Sequence, residues 1–232
     1  MICLTANGHN LRLNGVVIPK RGDLMLIVRC DVEAPTALTK AYIVDGPVNA
    51  GTLRRLNINN KLTNFRPAEE QKNALISISE LPGGMVYIAR FDREIVGYIT
   101  FYRPEEYFRW SKHSKIIELG AIEISSEWRK KSISEALLKE AFSNPVMEDS
   151  IVITMEFCWS WDIKGSGLEM FEYQKMLEKL FGMVGLKRRT TNDPEITEHP
   201  ANVLMARVGK HVRIKDIILF DKMLLEETPR FH

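Results

Sequence analysis

Residues 116–138 read IIELGAIEISSEWRKKSISEALL. An apolar run broken by Glu118, Gly120 and Glu123 passes through three consecutive cations, Arg129, Lys130 and Lys131, into a serine-flanked stretch. The first part has the composition of a strand. From Ser132 onward SISEALLKEAF brings Ile133, Leu137 and Ala141 onto one face of a helix. The junction has two readings. Amides in a helix's first turn lack intrahelical partners and the helix dipole adds positive potential, so a cationic turn leading into a helix makes an anion site. Ser132-Ile133-Ser134-Glu135 also fits the S-x-x-E capping box, which merely starts a helix. On these residues alone the plain cap is the preferred reading.

Upstream, MVYIARFDREIVGYITFY (85–102) alternates apolar and polar residues on both sides of Asp92-Arg93, as an antiparallel hairpin requires. Downstream follow a strand at SIVITMEF (150–157), a helix from about Leu168 to Phe181, a strand at VLMARVG (203–209) and a helix over about 214–225. Before the hairpin lie a short strand at AYIVDGPV (41–48) and helices over about Ala50–Leu62 and Pro67–Ser79. Pro67 suits a first helical turn, and Glu69 and Glu70 suit its positive end. A hairpin, a strand–helix–strand crossover and further helices imply an α/β (α+β) mixed, mostly antiparallel sheet covered by helices. Residues 1–38 stand apart as an N-terminal extension: strand-like runs at Leu11–Ile18 and Leu24–Val32 flank the turn residues Pro19–Asp23, and a loop follows at EAPTALTK. Residues 39–232 then form the main domain.

The bulk numbers narrow the function. A net charge of +2, from 32 cationic and 30 anionic residues, gives no global field for nucleic acid or anionic lipid. Any anion site is local. Cys3, Cys30 and Cys158 are odd in number and lack C-x-x-C spacing, which argues against a disulfide framework or a zinc site and implies no metal. No segment has the ~18 apolar residues of a membrane span, and the start lacks a secretory leader's charged region, so a cytoplasmic chain is expected. Nothing in the sequence fixes the oligomeric state.

From the 85–102 hairpin through residue 138 the chain resembles the GNAT superfamily of acetyl-CoA-dependent N-acetyltransferases. Its turn motif [RQ]-x-x-G-x-[GA] falls on Arg129, Lys130, Lys131, Ser132, Ile133 and Ser134. The segments TNFRPAEEQKNALISISELP, ARFDREIVGYIT, IIELGAIEI, FCWSWDIKG and NDPEITEHPANVLMARVGK are similar in order and spacing to the acetoin-utilisation branch of that superfamily, over about residues 40–221. The resemblance implies a GNAT-like sheet with a splayed strand pair, acetyl-CoA as co-substrate, and transfer of its acetyl group to a protein lysine. It further implies acetyl-CoA synthetase as the protein substrate, in a regulatory modification linked to acetoin and acetate metabolism. A small amine as acceptor, and a catalytically weak acyl-CoA-binding regulator, are the rival readings.

Residue by residue, the resemblance places the coenzyme pyrophosphate at the turn 129–134. Backbone amides of Ile122, Glu123 and Ile124 are implied contacts for the acetyl carbonyl and pantetheine, donors of the kind that stabilise an oxyanion. Ser132 and Ser134 stand where the family has glycine; a left-handed conformation there costs serine roughly 1–2 kcal/mol. Gly120 is a candidate bulge, since glycine within a strand often marks one. A lysine amine, with an ordinary pKa near ~10.4, must lose a proton before it attacks. Glu118 or Glu123 suits that role, and strict alternation puts them on opposite faces. Tyr173, one turn before the position of the family's tyrosine acid, occupied here by Leu177, is the candidate proton donor, or an aromatic that packs its helix. Phe157, Trp159 and Trp161 alternate at strand period and would present one aromatic face, either core or the wall of an acceptor channel. His199 is a minor candidate for a second base.

Overall fold

The computed structural model describes residues 41–226 and, before them, the backbone of four short strands. The chain divides into two compact units, residues 1–40 and 41–232. In the first, β1 (Thr5–Ala6) pairs with β2 (His9–Asn10), and β3 (Asn14–Val17) pairs antiparallel with β4 (Leu26–Arg29). The expected turn at Pro19–Asp23 and loop at 33–40 lie outside the described residues.

The second unit runs β5 (Ile43–Asp45), α1 (Ala50–Arg55), β6 (Asn57–Ile58), α2 (Ala68–Glu80), β7 (Met85–Phe91), β8 (Glu94–Tyr102) and β9 (Ile116–Ile124). It continues with α3 (Ile133–Ser143), β10 (Ile151–Glu156), α4 (Ile163–Ser166), α5 (Met170–Gly182), β11 (Lys187–Arg189), α6 (Pro194–Thr197), β12 (Val203–Val208) and α7 (Ile214–Leu224). The sheet order is β11-β12-β10-β9-β8-β7-β5, with β6 beside β8. Its neighbours are antiparallel except β9/β10 and β6/β8. The parallel β9/β10 pair needs a crossover, and α3 supplies it.

The first helix is shorter than its periodicity predicts. It stops at Arg55 because the next residues join the sheet: the Asn57 N–H donates to Arg93 O and the Asn59 N–H to Ile95 O. The polar Asn57-Ile58-Asn59-Asn60 run has weak helix propensity, so strand pairing wins.

Alternation divides the core. One face carries Ile99, Phe101, Leu119 and Val152 against Ile133, Leu137 and Ala141 of α3 and Leu177 and Phe181 of α5. The other face carries two separate clusters: Val86, Ile88 and Ile95 with Leu53 of α1 and Leu75 of α2, and Ile116, Ile151, Ile153 and Leu204 with Phe220 of α7. Between these clusters, on β8 and β9, lie polar side chains.

Two irregularities set the geometry there. The parallel strands pair only at Ile116–Glu118 with Ile151–Ile153 and then part. Beyond that point β10 stays with β12 as far as Glu156 opposite Val203, and β9 stays with β8 as far as Ile124 opposite Gly97. A V-shaped gap opens between them. The second irregularity is a bulge: Leu119 faces Phe101 and Ala121 faces Thr100, so Gly120 has no partner across the strand. Glycine fits here because a Cβ at this point would run into the ring and hydroxyl of Tyr102.

Candidate active site

The bulge corrects the expectation that Glu118 and Glu123 face opposite ways. Glu118 stands opposite Tyr102 and Glu123 opposite Tyr98. Tyr98 and Tyr102 are four residues apart on one regular strand and share a face. The unpaired Gly120 therefore brings both carboxylates to that face, beside the gap.

Their environments differ. Glu123 is 7% exposed; it accepts from the Tyr98 hydroxyl at 2.6 Å and from the Asn64 N–H at 2.9 Å, so each oxygen has its own donor. It is a fastener. Asn64 also donates from its side chain to Ser160 O at 3.0 Å, so the α1–α2 loop reaches across to the segment after β10. Glu118 is half-buried, and burial, followed by the charges of Glu105 and Glu195, pushes its carboxyl up to about 7. A carboxyl with that affinity takes a proton from an amine near neutral pH and gives it up again.

The amide contacts also need one correction. The Ser125 N–H donates to Val96 O on β8, and alternation turns the Glu123 N–H the same way. Of the three expected donors, Ile122 and Ile124 point into the gap and Glu123 does not.

At the cationic turn, Ser132 precedes α3 with φ 55° and ψ 25°, a left-handed conformation, and makes no side-chain cap hydrogen bond. The capping-box reading therefore fails: in this conformation the hydroxyl does not reach back to the helix amides. Lys130 also has a positive φ of 61°, while Ser134 lies within the helix and carries no such cost. A cavity of about 240 Å³ lies here, bordered by Arg129, Lys130, Ser132, Ile133 and Ser134. The other two cations are committed: Lys131 sits 4.4 Å over the Trp128 ring and Arg129 pairs with Asp162 at 2.7 Å. Glycine at position 132 removes the left-handed cost but frees the unfolded chain. Ser132→Gly is expected to raise stability by about 0.5–1 kcal/mol, a melting-temperature gain of roughly 1–4 °C in a thermal scan. A fall would show that the serine hydroxyl holds the turn.

The aromatic stripe is not a strand face. β10 ends at Glu156, and Cys158–Ser160 form a 3-10 turn. Phe157 stacks on Trp159, which is 77% exposed, whereas Trp161 turns inward and stacks on Tyr173 at 5.3 Å. Trp159, Trp161, Asn64, Phe65 and Cys158 border a cavity of about 500 Å³. Tyr173 is held by that stacking and by the Asp162 backbone, and burial raises its phenol. His199 is not solvent-facing in isolation; its Nδ1 lies 3.2 Å from Cys158 Sγ and accepts from the Ala201 N–H.

Sequence reasoning missed two residues at the apex of the gap. The Thr154 hydroxyl lies 3.1 Å from Leu119 O and 2.7 Å from Glu156 Oε1. Their signal was present: Thr154 and Glu156 are the polar residues in an otherwise apolar strand, on one parity.

Residues 55–143, which hold the bulged strand and the turn, match the profile of the Acetyltransferase (GNAT) family. The chain is 43% identical over 194 residues to acetoin utilization protein AcuA of Bacillus licheniformis, covering 83% of this chain and 90% of that one. Against the protein of the same name from Bacillus subtilis (strain 168) it is 41% identical over 187 residues, covering 80% and 89%. The crystal structure of an acetoin utilization protein from Exiguobacterium sibiricum superposes with a TM-score of 0.76 at 36% identity, covering 93% of this chain and 95% of that one.

Proposed function

This chain belongs to the GNAT family of N-acetyltransferases, which use acetyl-CoA, and from that premise we propose that it acetylates a lysine side chain of a protein, acetyl-CoA synthetase. The observation that carries the chemistry is Glu118, raised to about 7, at the last paired rung before β9 and β10 part. In this reading the acetyl group lies in the gap, its carbonyl oxygen held by the Ile122 and Ile124 amides. These donors are fixed before the reaction and stabilise the negative charge that forms on attack. The pyrophosphate lies at the α3 amides of the 129–134 turn. The amine approaches from the face of Glu118, which takes its proton.

The acceptor's size is supported by the surroundings of the gap. Phe65 and Trp159 are exposed and border the larger cavity, an apolar surface of the kind a folded partner covers. Acetylating a lysine removes its charge and its ability to pair with carboxylate or phosphate, a direct chemical route to switching the target off. Residues 39–232 form the acetyltransferase domain in this reading and residues 1–38 an extension to it.

The second reading, a small cationic amine as acceptor, is favoured by Glu105 and Glu195, whose charges act on Glu118. One experiment separates the two. The protein is incubated with acetyl-CoA and either acetyl-CoA synthetase or spermidine, and the products are examined by mass spectrometry. A single acetyl group on one synthetase lysine with loss of synthetase activity is expected; turnover of spermidine alone would select the second reading.

A further inference from the structure

The mechanism as far as Glu118 leaves a proton unaccounted for. When the thioester C–S bond breaks, the sulfur leaves with the electron pair and needs a proton. Thr154 Oγ1 carries one proton and has two acceptors in range, Leu119 O at 3.1 Å and Glu156 Oε1 at 2.7 Å. An ionised Glu156 would take that proton and leave the Leu119 carbonyl at the apex without it. A protonated Glu156 resolves the conflict: its O–H donates to Thr154 Oγ1, whose own proton goes to Leu119 O.

Glu156 is also on the right side. It shares the β10 parity of Thr154 and pairs across from Val203, so it lies on the α3/α5 face, opposite Glu118. The Trp161 indole and Tyr173 belong to the same side. We propose that Glu156 is the proton donor to the departing coenzyme sulfur, so that the sheet separates base from acid, one on each face of the gap. Burial favours the protonated form, against the Thr154 hydrogen bond, which favours the ionised one.

The step balances. The acceptor reacts as the free amine, its ammonium proton having passed through Glu118 to water. The nitrogen then forms its bond to the acetyl carbon and loses a second proton to the ionised Glu118, the C–S bond breaks and the sulfur takes the Glu156 proton. Glu118 is left protonated and Glu156 ionised, and exchange of one proton each with water restores both. The inference rests on acetyl transfer itself and not on the identity of the acceptor.

Its test therefore uses hydroxylamine as a small nucleophile and follows thiol release. Two donors are compared, acetyl-CoA and the acetyl thioester of an acidic aryl thiol, which leaves without acid help. With acetyl-CoA, Glu156→Gln is expected to lose ~10²-fold in kcat/KM, and with the aryl thioester less than about 5-fold. Glu118→Gln is expected to lose equally with both. Equal losses for Glu156→Gln would overturn the proposal, as would a larger donor-dependent loss in Tyr173→Phe. A second arm needs no turnover: infrared spectroscopy of protein carrying carboxyl-labelled glutamate. A protonated-carboxyl band at pH 7 that survives Glu118→Gln and is shifted by Glu156→Asp is expected. Its absence from the wild-type spectrum would overturn the proposal whether or not the variants fold.

Discussion

Glu118→Gln is expected to lower kcat by about 10²–10⁴-fold with the acetyl-CoA KM nearly unchanged, because glutamine keeps the shape and polarity of the side chain and loses only its proton affinity. The pH profile is the sharper readout. A general base works ionised, so wild-type kcat is expected to rise with pH through about 7. The variant is expected to lack that rise and to gain rate only at higher pH, where free amine becomes abundant. The same carboxyl acts on stability. Its folded value lies above the ordinary 4.5, so the folded state binds the proton more tightly than the unfolded one. Stability is then lost as pH rises from about 4.5 toward 7, and Glu118→Gln is expected to flatten that fall in thermal scans. Full activity of the variant at every pH would remove Glu118 from the mechanism.

The second large effect is structural. Glu123→Ala leaves two groups without acceptors, the hydroxyl of the fully buried Tyr98 and the Asn64 N–H. Each unmet donor costs about 1–3 kcal/mol, so a loss of roughly 2–6 kcal/mol is expected, or about 4–24 °C in melting temperature. The Asn64 loop also loses its anchor on β9 while keeping its bond to Ser160 O. The acceptor KM is expected to rise and the acetyl-CoA KM to stay close to wild type. Glu123→Gln keeps an acceptor for one of the two donors and is expected to fall between. A variant as stable as wild type would show that Glu123 is not a fastener.

The elements set by strong periodicity were legible. The 85–102 hairpin turns at Asp92-Arg93 as its alternation requires, and Ile133, Leu137 and Ala141 are buried together on α3. Gly120 proved to be the bulge its residue type suggested. The consequence of that bulge was not legible, because alternation assumes every residue is paired. The aromatic stripe misled for a related reason: Phe157, Trp159 and Trp161 keep strand spacing after the strand has ended, and composition alone does not show where pairing stops. Ser132 illustrates a third limit. Its capping motif is intact in sequence, yet the turn holds it left-handed and the motif goes unused. Asn64 gave no signal, since a loop amide acquires its role only when the fold carries it to Glu123 and Ser160.

Gly120 has a consequence for how strands of this kind are compared. Counted in letters, Glu118 and Glu123 are five apart; counted in rungs against β8 they are four apart. A strand with three residues between its two acids and no unpaired glycine would present the same surface, whereas one with four residues between them, all paired, would turn the second acid into the oily layer under α3. A one-residue gap at position 120 in an alignment is thus silent for side-chain facing. The same gap elsewhere in 116–124 turns the rest of the strand inside out.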